Sequence, residues 1–285
     1  MQIVRTVADL RSWSRKHHCN SAGFIGLVPT MGALHAGHAS LIRAARARCS
    51  HVAVSLFVNP TQFGPSEDFA RYPRAFEADC ALAAAEGADV LFAPSEEEMY
   101  PGGTVTGIAT FIDVEGLSLR LDGASRPGHF RGVATVVAKL FIAAEPDFAF
   151  FGQKDAAQVA VLRRMVSDLR LATEIVVCPI VRDPDGLALS SRNAYLSPDE
   201  RRQALTLSRA VRMVELLAAE GERRVDLLIS AARVVFASEP ANRIDYIEIV
   251  DWATLEPVET AAPGTLFAVA AWVGKTRLID NAILQ

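Results

Sequence analysis

Phe24-Ile25-Gly26-Leu27-Val28-Pro29-Thr30-Met31-Gly32-Ala33-Leu34-His35-Ala36-Gly37-His38, followed by the helical run 39–48, reads as strand, polar turn and helix. The apolar segment 24–28 is brief and bounded by turn residues, which predicts a buried strand. Gly32 and Gly37 let the turn's backbone come close to a ligand, and the first helical turn leaves N–H groups unpaired at the positive end of a dipole. Together these make an anion site. Imidazoles at His35 and His38, three residues apart at a helix start, face the same way and offer hydrogen bonds to phosphate oxygens. Loop glycines with capping or packing histidines are the bland alternative, and the placement of the pair between strand and helix weighs against it.

Outward from this stretch, strand and helix alternate. Residues 52–58 predict a second buried strand that Pro60 and Pro65 bring to an end. A helix over 75–86 runs to Gly87 as its cap, and 89–93 forms a third strand. The glycine-rich segment 100–126 reads as loop and lid material with a strand at 110–114. A helix over 132–144 leads to a strand at 147–151 ending in Gly152-Gln153-Lys154-Asp155, and Val159, Leu162 and Val166 then recur at helical spacing. Residues 174–181 give a further strand, with Pro179 hinting at a sheet edge or at an early exit from the sheet.

Beyond Val181 the texture changes. A turn at Asp183-Pro184-Asp185-Gly186 precedes Leu189-Ser190-Ser191-Arg192-Asn193. Next, Ser197-Pro198-Asp199-Glu200 spells a capping box with proline at the first helical position. Helices over 198–219 and 225–237 and strands over 244–250, 266–273 and 277–282 predict a small α+β unit. The expected fold is therefore α/β: a Rossmann-like parallel sheet with helices on both faces over residues 1–181, and a smaller carboxyl-terminal α+β domain over 182–285.

The chain has 285 residues, 51% of them hydrophobic, and a formal net charge of −4. Such a length and composition describe a well-buried globular protein, and the acidic balance supplies no broad field for a nucleic-acid backbone. Cys19, Cys49, Cys80 and Cys178 stand apart from one another, without zinc-site spacing or disulfide density, which points to a reducing cytoplasm. The amino end carries Arg5, Asp9, Arg11, Arg15 and Lys16 without an apolar core, so neither a secretory signal nor a membrane anchor is expected; His17 and His18 are read as solvent-facing.

In an open parallel sheet, ligands gather outside the carboxyl ends of the strands, where the strand-to-helix turns collect. His35 and His38, Asn59 and Gln62, and Lys154 and Asp155 all fall at such ends. Neither a Walker lysine motif nor a Gly-x-Gly-x-x-Gly fingerprint follows the first strand, which argues against a P-loop kinase and a typical dehydrogenase.

His35-Ala36-Gly37-His38 resembles the His-x-Gly-His signature of the adenylyl-transferring superfamily, and Leu189-Ser190-Ser191-Arg192 looks like its second, lysine- and serine-rich signature. Five further motifs accompany them: Pro29-Thr30-Met31-Gly32-Ala33-Leu34, Val58-Asn59-Pro60-Thr61-Gln62-Phe63, Arg126-Pro127-Gly128-His129-Phe130, Phe151-Gly152-Gln153-Lys154-Asp155 and Ser190-Ser191-Arg192-Asn193. With these, the chain from about Val28 to Leu196 resembles the pantothenate synthetases, or pantoate–β-alanine ligases. The resemblance implies a cytoplasmic enzyme, dimeric through its amino-terminal domain. It makes a pantoyl adenylate from pantoate and ATP and passes the acyl group to β-alanine. Its partners are these small molecules and Mg2+, with no nucleic acid and no membrane.

By the same resemblance, His38, His35, Lys154 and Arg192 are the catalytic positions, with His38 the proton donor. Met31, Gly32, Ala33, Leu34, His35, Ala36, Gly37 and His38 contact ATP, as do Gly152, Gln153, Lys154, Asp155, Val181, Leu189, Ser190, Ser191 and Arg192. Gln62 and Gln158 take pantoate, Asp79 is the magnesium candidate, and the carboxyl-terminal domain is expected to close about a hinge at 182–186. Leu189 stands where the pattern often has methionine, Arg192 where it often has lysine, and Gln153 where an acidic residue is expected. Rival readings are another adenylyltransferase, an aminoacyl-tRNA synthetase and a nucleotide sensor without turnover. Pantoate-dependent pyrophosphate release separates them from the ligase.

Overall fold

The computed structural model describes residues 1–20, 23–65, 67–104 and 107–285. Its elements, in chain order, begin with β1 (Gln2–Val4), α1 (Val7–Asn20), β2 (Ile25–Thr30), α2 (Ala36–Arg48), β3 (His51–Leu56), α3 (Phe76–Ala85) and β4 (Val90–Phe92). Two single-turn helices, α4 (Glu96–Met99) and α5 (Asp122–Ser125), lead to α6 (His129–Ala144), β5 (Phe148–Gly152), α7 (Ala156–Asp168) and β6 (Glu174–Cys178). Last come α8 (Pro198–Ala219), α9 (Val225–Ala237), β7 (Arg243–Asp251), β8 (Thr265–Val273) and β9 (Thr276–Ile283).

Among the described residues, six strands form one parallel sheet in the order β1-β4-β3-β2-β5-β6, and three form an antiparallel sheet in the order β7-β8-β9. The chain leaves β2 toward β3 and β4 on one side and returns to β5 and β6 on the other. Strand order therefore reverses between β2 and β5, and the carboxyl ends at Thr30 and Gly152 flank the switch point where such sheets bind ligands. Both faces are buried, as crossover helices require. Val28, Val52, Val54, Leu91 and Phe150 pack with Leu41, Ile42 and Ala45 of α2 and Ala83 of α3. Strand alternation turns Leu27, Ala53 and Ala149 the other way, toward the side where α1 and α6 pack on β2 and on each other.

The chain divides into two compact units. Met1–Gly152 with Val161–Cys178 make the first, and Gln153–Ala160 with Pro179–Gln285 make the second. The second has its own core, in which α8 and α9 cover the face of the small sheet formed by Ile247, Ile249, Phe267, Val269, Leu278 and Ala282. The capping box holds: the Ser197 hydroxyl accepts from the Glu200 amide, and the Glu200 carboxylate accepts from the Ser197 amide.

Several elements depart from the sequence reading. Residues 110–114 are not a strand; Ile112 N–H donates to the Thr135 hydroxyl on α6 (2.9 Å), and the Arg131 guanidinium covers the Phe111 ring. Val105 and Thr106 of the expected loop lie outside the described residues. β6 ends at Cys178 instead of 181, since Pro179 has no N–H for the ladder, and the strand lies at the sheet edge; both the early exit and the edge agree with the reading of Pro179. His18 is exposed, whereas His17 is half-buried, its ring 3.9 Å from that of His51 and 4.8 Å from that of Trp13. The expected hinge at 182–186 is pinned inside the second unit. Arg182 pairs with Asp280, and Arg201 pairs with Asp183 and Asp185.

Candidate active site

In the first unit the site begins where β2 ends. Gly32 (φ +85°) and Ala33 (φ +51°) both take left-handed backbone, which turns the chain sharply before α2. Both oxygens of the Asp79 carboxylate secure that turn, accepting from Ala33 N–H (2.9 Å) and Leu34 N–H (2.7 Å). A Cβ added at Gly32 would lie 3.0 Å from Asp79 Oδ2, in a backbone conformation that other residues rarely adopt. Asp79 is only 4% exposed. Both of its oxygens are already engaged by half-buried amides of the turn, so we read Asp79 as holding the turn and not as the magnesium ligand expected of it. Among the described residues no group of three or more His, Cys, Asp or Glu side chains is placed to hold a metal ion.

His35 and His38 are brought together, with ring centroids 4.1 Å apart. His35 is the N-cap of α2, its Nδ1 accepting from Gly37 N–H (3.1 Å), while His38 Nδ1 accepts from His35 N–H (3.4 Å). This is a capping box built from imidazoles. An Nδ1 that accepts must be unprotonated, so a neutral ring carries its proton on Nε2. Both half-buried rings thus keep one N–H donor each at the amino end of a helix, where a phosphate is favoured.

The turn after β3 is a 3-10 turn, Pro60–Gln62, capped by Asn59. Asn59, 1% exposed, donates from Nδ2 to Gln62 Oε1 (3.1 Å) and to Gly132 O (3.1 Å), and its Oδ1 accepts from the Tyr100 hydroxyl (2.7 Å). The Gln62 amide nitrogen lies 3.0 Å from Met31 Sδ, so the turns after β2 and β3 do meet. The first turn of α6 grips this loop from below. A Cβ at Gly132 would fall 2.3 Å from Thr61 O. His129 Nδ1 lies 2.8 Å from Gln62 O, and its Nε2 lies 3.0 Å from Arg126 Nη1. Since guanidinium only donates, His129 accepts at Nε2 and donates from Nδ1. Burial first, and the Arg126 charge second, push its pKa down to about 4. Arg126 is held in turn by a two-pronged pair with Glu67 (2.6 and 2.9 Å).

In the second unit, Lys154 is half-buried with its Nζ 3.7 Å from Asp155 Oδ1, and Gln158, half-buried, lies one helical turn on. Leu189 N–H donates to Val181 O (2.9 Å), which joins the two segments expected at the nucleotide. The Ser190 hydroxyl caps the next turn by accepting from Arg192 N–H (3.2 Å), and Asn193 Nδ2 donates to Ala188 O (3.0 Å). Sequence reasoning placed Asn59 at the ligand edge of the sheet without a partner, and assigned no role to Tyr100, Arg126, His129 or Asn193. The quoted motifs that hold Arg126, His129 and Asn193 were signals that could have found them; Tyr100 had none.

Comparison with known proteins accounts for the whole chain. Residues 2–283 match the family model described as pantoate-beta-alanine ligase. A pantothenate synthetase from Acidobacterium capsulatum is 63% identical over all of this chain and 97% of its own length; one from Koribacter versatilis is 57% identical over all of this chain and 96% of its own. The crystal structure of pantothenate synthetase from Thermus thermophilus superposes with a TM-score of 0.93 at 46% identity, covering 99% of both chains. That of pantoate-beta-alanine ligase from Francisella tularensis, complexed with beta-gamma ATP and beta-alanine, gives 0.81 at 33% identity, covering 99% of this chain and 97% of that one.

Proposed function

The chain belongs to the pantoate–β-alanine ligase family, and from that membership we propose that it joins pantoate to β-alanine in two steps driven by ATP. In the first step a pantoate carboxylate oxygen attacks the α-phosphorus, the bond to the bridging oxygen breaks, and pyrophosphate leaves. In the second, the β-alanine amine attacks the acyl carbon, the bond to the AMP oxygen breaks, and the amine gives up a proton.

The observation that carries this reading is the capping box of His35 and His38. Two Nε2–H donors held by the backbone need no reorganisation as charge gathers on the phosphate oxygens, which is where fixed donors lower a barrier most. His38 serves the departing pyrophosphate by donating a hydrogen bond from Nε2, its Nδ1 being held as an acceptor by the backbone. Lys154 adds a mobile point charge and Arg192 a planar fork, with Ser190 and Ser191 beside it. Residues 31–38, Gly152 to Asp155, Val181 and Leu189 line the nucleotide on this reading, and Gln62 and Gln158 bind pantoate through amides that both donate and accept. Magnesium would enter with the nucleotide and offset the charge of its phosphates, Asp79 being engaged in the turn through both oxygens.

The adenylate must be kept from water until the amine arrives, and the carboxyl-terminal domain, residues 182–285, is the part of the chain proposed for that lid role. The protein works in the cytoplasm as a homodimer through its amino-terminal domain. Its four free cysteines support the first point, and the family resemblance supports both. Omission assays test the reaction. Pyrophosphate release is expected to require pantoate and not β-alanine, with AMP release requiring both; pyrophosphate release without pantoate would refute it.

A further inference from the structure

The small sheet of the second unit has one face under α8 and α9 and a second face whose role the reaction leaves open. On β9, Asp280 and Asn281 are consecutive and so point to opposite faces, yet both are buried, at 3% and 2% exposure. Each holds a different part of the chain.

Asn281 reaches the segment that carries Lys154. Its Nδ2 donates to Gln153 O (3.0 Å) and Lys154 O (2.8 Å), and its Oδ1 accepts from Gln153 Nε2 (3.2 Å). A single buried amide thereby fixes the two peptide groups at and before the lysine. Further along the segment, Trp252 Nε1 donates to Ala156 O (3.0 Å). Asp280 takes the Arg182 guanidinium end-on (2.6 and 2.9 Å), and Arg182 also donates to Gly186 O (3.2 Å). Arg182 is bridged to Ala188, and the Val181–Leu189 bond beside that bridge begins the loop to Arg192.

We propose that Asn281 is a positioning residue of this enzyme: together with its neighbour Asp280 it sets the spacing between Lys154 and the segment running to Arg192. The proposal rests on the reading that Lys154 and Arg192 hold the triphosphate. A flexible lysine delivers its charge from wherever its backbone sits, and consecutive strand residues are only ~3.3 Å apart along the chain. The strand ladder to β8, Val269 with Asp280 and Ala268 with Asn281, keeps that anchor from slipping. The acceptor on Asn281 also accounts for glutamine at 153. A neutral amide donates to Oδ1, which a carboxylate there would not do.

Four full-length proteins decide it: the natural sequence, Asn281→Ala, Lys154→Ala and the double variant. Each is titrated with β,γ-methylene ATP after its thermal unfolding has been recorded. Asn281→Ala is expected to weaken the analogue roughly tenfold, the scale of one charge-assisted hydrogen bond, but by less than about twofold when Lys154 is already alanine. Its KM for ATP should rise more than its KM for pantoate.

An equal loss in both backgrounds would mean that Asn281 acts through general folding, and unchanged affinity would mean that it does not act on the nucleotide; either overturns the proposal. If Lys154→Ala alone leaves the affinity unchanged, the reading of Lys154 fails, and this proposal fails with it. Should Asn281→Ala not fold, Asn281→Asp keeps the shape and the Gln153 acceptor but sets a carboxylate against two carbonyl oxygens. The same tenfold weakening is then expected, and natural affinity in that variant overturns the proposal.

Discussion

His38 Nδ1 accepts the backbone N–H of His35 at 3.4 Å, so the two signature histidines are each other's structural partners before any ligand arrives. Cap and donor are the same pair of rings, and substitution separates the two roles. His38→Ala should lower turnover by roughly two to three orders of magnitude, as removal of a transition-state donor does. His35→Ala should cost about 1 kcal/mol of stability as well as rate. His35→Asn restores a good N-cap without the Nε2–H, so it should recover the unfolding temperature and not the rate. Thermal unfolding and single-turnover adenylate formation measure the two separately.

Asp79 holds the turn. Asp79→Asn, which leaves one of the two half-buried amides poorly matched, should destabilise the protein by about 1–3 kcal/mol and raise KM for ATP. The dependence of rate on magnesium concentration should keep its midpoint. A shifted midpoint would mean that Asp79 ligates the cation.

His129 is held neutral, its pKa pushed down from an ordinary value near 6.5 to about 4. The unfolded chain takes up a proton below the ordinary value that the folded one refuses until about 4. Stability therefore falls as pH drops through this window, by up to about 3 kcal/mol, and is flat below it as far as this group is concerned. His129→Asn should flatten that acid limb in urea titrations at stepped pH; an unchanged slope would remove His129 as its source.

Gly132 admits the Pro60–Gln62 turn against α6. In Gly132→Ala the new Cβ would meet Thr61 O at 2.3 Å, so the turn must shift and carry Gln62 with it. KM for pantoate is expected to rise at least tenfold with a much smaller change in KM for ATP. Equal changes in both would argue that the damage is global.

Periodicity and turn chemistry made most of the fold legible. The boundaries of α8 and α9 and the imidazole-bearing turn follow from local spacing and caps that the sequence displays. The parts that were not legible depend on distance along the chain. Asp79 lies 46 residues from the amide of Ala33, and nothing in its helix separates a turn-holding carboxylate from a metal ligand. Asn281 reaches Lys154 across 127 positions. The strand expected at 110–114 failed for a similar reason: the Ile112 amide finds the Thr135 hydroxyl on α6 instead of a neighbouring strand. At the amino end, Leu10, Trp13 and Ser14 bury one side of α1 within a segment whose charges read as surface.

The adenylate route is tested most directly by isotope transfer. With both carboxylate oxygens of pantoate labelled with 18O, attack on the α-phosphorus followed by amine attack on the acyl carbon leaves one labelled oxygen on AMP and one in the new amide. The account predicts one 18O per AMP formed by the full-length protein with ATP and β-alanine. Unlabelled AMP, or label appearing in orthophosphate alongside ADP, would contradict it.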